Sequence, residues 1–90
     1  MSNKPTATPA HLRKLVREVL VLAPGYGLSD DMLCRFVRDL LPLNAATDGE
    51  ILEAAVWNLG KDYVADAKNE DSEEREWRIT NHGIAKESIK

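Results

Sequence analysis

Two histidines, one cysteine and fifteen carboxylates are the side chains of this 90-residue chain that could act as bases, nucleophiles or metal ligands. His11 and His82 lie far apart in sequence, each near an expected helix start, where a polar ring is unremarkable. Cys34 falls on the flank of an apolar stripe and is expected to be a small core residue. A thiol nucleophile needs a base beside it, and nothing in the sequence places one there. Zinc needs three or four ligands at close spacing, which one cysteine and two scattered histidines do not supply. There is no P-loop, no dinucleotide fingerprint and no Gly-x-Ser-x-Gly elbow. The chain is therefore expected to bind without chemistry, with no catalytic residue, no metal and no cofactor.

The carboxylates are informative through their placement. Residues 1–47 carry six basic and four acidic side chains, residues 48–76 three basic and ten acidic, and residues 77–90 three basic and one acidic. The middle segment thus has a net charge of −7 in a chain whose total is −3. Duplex DNA carries one negative charge per ~1.7 Å, so a surface that grips it must present Lys and Arg. Residues 48–76 would repel it.

The elements that hold these charges follow from the apolar spacing. Ninety residues make one small domain, expected to bury roughly 60–65% of its unfolded surface. With 43% hydrophobic and 30% charged residues it has the composition of a folded acidic protein, not a disordered one. Residues 1–8 are polar and expected to form a tail, with residues 9–90 as the domain. The N-terminus lacks the apolar core of a signal peptide, no apolar run approaches the ~20 residues of a membrane span, and a lone cysteine suits a reducing interior. A cytoplasmic protein is expected.

Thr8 followed by Pro9 opens a first helix over about residues 9–22, with Leu12, Leu15, Val16, Val19, Leu20 and Ala23 at helical spacing. Pro24, Gly25 and Gly27 then break the chain. Ser29 caps a second helix whose apolar stripe is Met32, Leu33, Phe36, Val37, Leu40 and Leu41, ending by Pro42. Thr47 and Glu50 form a capping box for a third, with Ile51, Leu52, Ala55, Val56 and Leu59 on its buried side and Gly60 at its C-terminal cap. The period then changes to two. Tyr63, Ala65 and Ala67 share one side, Trp77 and Ile79 alternate with Glu76, Arg78 and Thr80, and residues 68–74 form a polar hairpin tip. Thr80 or Asn81 would cap a short last helix, which Gly83 should weaken.

The run Val56, Leu59, Tyr63-Val64, Trp77-Arg78-Ile79-Thr80 and Gly83 resembles the end of the winged-helix domains of MarR-like and PadR-like transcription regulators. There an apolar pair follows the recognition helix and an apolar-Thr-x-x-Gly segment closes the wing. The resemblance covers residues 47–83 in sequence and about 9–83 in order of elements. It implies an α+β winged helix, with a three-helix core followed by a two-stranded hairpin wing, and it implies a fold more than a function. Asp62 stands where many members of those families have glycine, and Gly60 is expected to absorb the turn instead.

Rotating the third helix at 100° per residue puts the centre of its apolar stripe near Leu59 and Ile51. Glu50, Glu53 and Trp57 then face outward, with Ala54 and Lys61 at the edges. Two functional readings stay open. In the first, which the charges favour, the chain is a protein-interaction module. It would present Trp57, Glu50, Glu53 and the acidic tip residues Glu70, Asp71, Glu73 and Glu74 to a protein with a basic surface. In the second, which the resemblance favours, it is a small DNA-binding regulator of duplex DNA. Its contacts would be Thr47, Asn58, Lys61, Lys68, Arg75 and Arg78. A second basic surface is formed by Arg13, Lys14 and Arg17 on the first helix and Arg35 and Arg38 on the second, partly offset by Glu18, Asp31 and Asp39. A homodimer is compatible with either reading, and no membrane contact is expected.

Overall fold

The computed structural model describes residues 7–23 and 27–88. The expected break at Pro24 and Gly25 and most of the expected tail lie outside the described residues. The chain is α+β: α1 (Pro9–Val21), β1 (Leu28–Ser29), α2 (Asp30–Asp39), α3 (Asp48–Gly60), β2 (Val64–Lys68), β3 (Arg75–Ile79) and α4 (Asn81–Ser88). The strands form one antiparallel sheet in the order β1-β3-β2. This arrangement is compatible with a winged helix. The β2–β3 hairpin is the one expected, and Leu28 and Ser29 add a short third strand by pairing with Trp77 and Glu76 on the other edge of β3. Two residues are too few to show a period, so β1 leaves no pattern in the sequence.

Each long helix begins where its cap predicts. The Thr8, Ser29 and Thr47 hydroxyls accept from the backbone N–H groups of His11, Met32 and Glu50. Glu50 returns the bond to the N–H of Thr47 at 2.9 Å, completing the capping box. The C-terminal ends differ from expectation. Gly60 is still helical, Lys61 is the cap, and Asp62 takes the left-handed turn itself at φ 61°. Aspartate tolerates this region better than most residues. Thr80 caps α4: its hydroxyl accepts from the N–H of Gly83 and lies 2.6 Å and 2.9 Å from the carbonyl oxygens of Asp62 and Tyr63.

Gly83 therefore plays a different part from the helix-weakening one expected. A Cβ built on it would stand 2.0 Å from the Tyr63 carbonyl oxygen. The missing side chain lets α4 close against the turn between α3 and β2.

The core is built from Leu12, Leu15, Val16, Val19 and Leu20 of α1, Leu33, Cys34 and Val37 of α2, Ile51, Ala54 and Ala55 of α3, and Leu28, Val64 and Trp77 of the sheet. Trp77 is fully buried, and its ring N–H donates to the Asp30 carboxylate at the start of α2. Truncating a buried indole costs about 3–5 kcal/mol, so this one side chain ties the wing to the helices.

Two apolar stripes are narrower than expected. On α2 Leu33, Cys34 and Val37 enter the core, while Met32, Phe36 and Leu40 are exposed. On α3 the buried set is Ile51, Ala54, Ala55 and Asn58, and Val56 is exposed. The two alanines let α1 and α3 approach closely, which turns α3 away from the orientation that its larger apolar residues suggest.

Candidate functional site

The outward side of α3 faces a groove shared with α1. Its volume is about 410 Å³, and Pro9, Leu12, Arg13, Glu50, Glu53, Ala54, Val56 and Trp57 line it. Glu50 and Glu53 are exposed, as the sequence placed them. Their roles differ: Glu50 spends one oxygen on the capping box, whereas Glu53 makes no ion pair among the described residues.

Trp57 is half-buried, neither a free anchor nor a core residue. The Arg13 guanidinium of α1 lies 4.5 Å from its ring centre and the Lys61 ammonium at the end of α3 lies 5.5 Å from it, both within cation–π range. Tyr63 adds a tilted ring contact at 6.2 Å, and His82 stacks on Tyr63 at 5.0 Å. Arg17 and Lys86 lie 5.4 Å and 5.9 Å from the Tyr63 ring. The indole thus packs against α1 and the entrance to β2, while Trp77 occupies the core elsewhere. Sequence reasoning missed this aromatic cluster because its members are separated by a turn and a hairpin.

Asn58 is the largest departure among the candidate residues. It is fully buried, and its amide is engaged on both sides. Its carbonyl oxygen accepts from Arg17 Nη1 at 2.9 Å, and its NH₂ donates to the backbone oxygens of Arg13 (3.0 Å) and Ala54 (2.9 Å). Arg17, expected on the outer side of α1, is buried with it and donates from Nε to Glu87 of α4 at 3.1 Å. A buried charge needs a partner and satisfied donors, and Asn58 and Glu87 together provide them. Neither Asn58 nor Arg17 is presented to solvent.

The wing's cations are also engaged. Lys68 and Arg75 lie directly opposite one another across β2 and β3. Each turns to an acid: Lys68 to Glu73 at 3.7 Å, Arg75 in a two-pronged contact with Asp30 at 3.1–3.2 Å while stacking on Trp77 at 4.6 Å. Burial by itself would raise the Asp30 pKa, but hydrogen bonds from Arg75 and Trp77 and the Arg75 charge outweigh it and hold the carboxyl below its usual value. The same bond raises the Arg75 pKa. Thr47, Lys61 and Arg78 are exposed, and Arg78 makes no ion pair among the described residues.

The acidic tip is an ordered turn. The Asn69 side chain accepts from the N–H groups of Asp71 and Ser72, and Glu73 sits at φ 60°. Glu70, Asp71, Glu73 and Glu74 all point into solvent. They are separate from the α3 groove, so the residues assigned to one protein-binding surface form two.

Arg38 and Asp48 form an ion pair that joins α2 to α3, and Lys14 and Glu18 pair along α1. Cys34 is buried beneath that joint. Burial, with the Asp48 carboxylate adding to it, pushes its thiol up to about 11, so it stays protonated at neutral pH. No three His, Cys, Asp or Glu residues among those described stand close enough to hold a metal ion. No described helix is long and apolar enough to cross a membrane. Comparison with protein-family models and with curated proteins finds no match.

Proposed function

We propose that the chain is a non-catalytic protein-interaction module whose α1–α3 groove receives a partner with a basic surface. The observation that carries this reading is the outward side of α3. Glu53, Val56 and Trp57 line the groove, while Asn58, the amide that a base contact from α3 would use, is engaged internally. An indole beside an exposed valine offers an apolar anchor, and the free Glu53 carboxylate offers charge for a Lys or Arg at its rim. The ordered acidic tip supplies a second attraction for the same kind of partner.

The second reading is a DNA-binding regulator of winged-helix type. The strand and helix order favours it, and Thr47, Lys61 and Arg78 are exposed for phosphate contact. The acidic α3 face weighs against it.

Affinity capture from a native cell extract, with nuclease-treated and untreated samples, tests the first reading. A protein retained by the wild type, insensitive to nuclease and lost with both Trp57→Ala and Glu53→Lys, supports it, provided both variants keep the wild-type circular dichroism. Retention that disappears with nuclease, or that ignores both substitutions, overturns it.

A further inference from the structure

We infer that α2 is a self-association surface, and that its occupant is α2 of a second copy of this chain in antiparallel orientation. Met32, Phe36 and Leu40 recur every fourth residue along α2 and are 45%, 39% and 54% exposed. Phe36 and Leu40 continue into an apolar groove of about 410 Å³ closed by Val19, Leu22, Ala23 and Leu28, with Leu22 82% exposed. Among the described residues, Asp39 is the one charged residue on its lining. No described residue lines both this groove and the α1–α3 groove.

The charges beside the strip select the partner. Asp31, Arg35 and Asp39 flank it on one side, each one position before an apolar residue. Arg35 and Asp39 are one helical turn apart, yet neither makes an ion pair among the described residues. A twofold axis at Phe36 would bring Phe36 against Phe36 of the second copy, and Met32 against its Leu40. The same axis brings the flank of one helix against the same flank of the other. At 1.5 Å rise per residue, Arg35 then lies about 3 Å along the axis from Asp39 of the second copy. Two equivalent ion pairs form across the strip. The pattern is self-complementary, as a closed twofold interface requires. A ten-residue helix buries less than the ~800 Å² per partner of a standard interface, so the dimer is weak, with dissociation on the order of micromolar or above.

Sedimentation equilibrium over a wide concentration range tests this. The average mass should rise from 10.0 kDa toward that of a dimer as concentration increases. Phe36→Glu, at an exposed position, should stay monomeric with unchanged circular dichroism. Arg35→Glu should weaken association about tenfold, and Arg35→Glu with Asp39→Arg should restore it, because the exchanged charges pair again across the axis. A mass of 10.0 kDa at every concentration overturns the inference, as does a dimer that survives Phe36→Glu. If the chain stays monomeric while an added amphipathic helical peptide shifts the α2 amide resonances, the strip serves a different protein and the second copy is ruled out.

Discussion

Replacing Asn58 by alanine separates a structural role for this residue from a ligand-binding one. The side chain is fully buried and makes three hydrogen bonds, one of them from the Arg17 guanidinium. A hydrogen bond to a charged group is worth about 1.5–3 kcal/mol and a neutral one about 1 kcal/mol. Alanine returns about 0.5 kcal/mol through its better helix propensity. Arg17 keeps its bond to Glu87, so the buried charge is weakened in support but not abandoned. The balance is a loss of about 3–4.5 kcal/mol. For a domain of this size that lowers the melting temperature by about 12–36 °C, at about 4–8 °C per kcal/mol. Urea unfolding followed by circular dichroism and tryptophan fluorescence measures it directly. A change below about 0.5 kcal/mol, within the range of surface substitutions, would refute the buried network. It would also return Asn58 to the set of residues available for DNA.

Other substitutions probe the junction between α3, the wing and α4. Gly83→Ala should destabilise by about 3 kcal/mol, the upper range for overpacking, since its Cβ would meet the Tyr63 backbone as well as the Ile79 side chain; thermal unfolding checks this. Asp62→Gly should be neutral or stabilising by up to about 1 kcal/mol, because glycine adopts a positive φ without cost; loss of stability would show that the aspartate side chain has a role of its own. Asp30 has a folded pKa below its ordinary 3.8, so its contribution is complete above that value and is lost as pH falls through the lower folded pKa. With both partners about two-fifths exposed, the contribution is about 0.2–1 kcal/mol, and Asp30→Asn should flatten the acid limb of a stability–pH curve by that amount.

Much of the architecture was written in local signals. Thr8, Ser29 and Thr47 mark three helix starts because a capping hydroxyl acts within three residues, and the change from helical to twofold period announces the wing. What the sequence concealed depends on contacts between distant residues. Asn58 looks like a surface residue until Arg17 comes within hydrogen-bonding distance from 41 positions away. The rotation of α3 is set by two alanines packing on α1, which a count of large apolar residues overlooks. Gly83 reads as a helix breaker because the Tyr63 carbonyl that it accommodates is twenty residues upstream in the chain. Of the candidate site, Glu50 and Glu53 stand where helical rotation put them. Trp57, which the same rotation turns outward, is half-buried against Arg13, Lys61 and Tyr63. The apolar face of α2 was hidden because two adjacent columns looked like one wide stripe.

The claim that α3 and the wing serve a protein partner is tested most directly by titrating the ¹⁵N-labelled domain with a mixed-sequence DNA duplex at low salt, where charge attraction is strongest. The account predicts no salt-sensitive amide shifts along residues 47–61 or 64–79. Shifts in those segments that fade as salt is raised would contradict it and establish the DNA-binding reading.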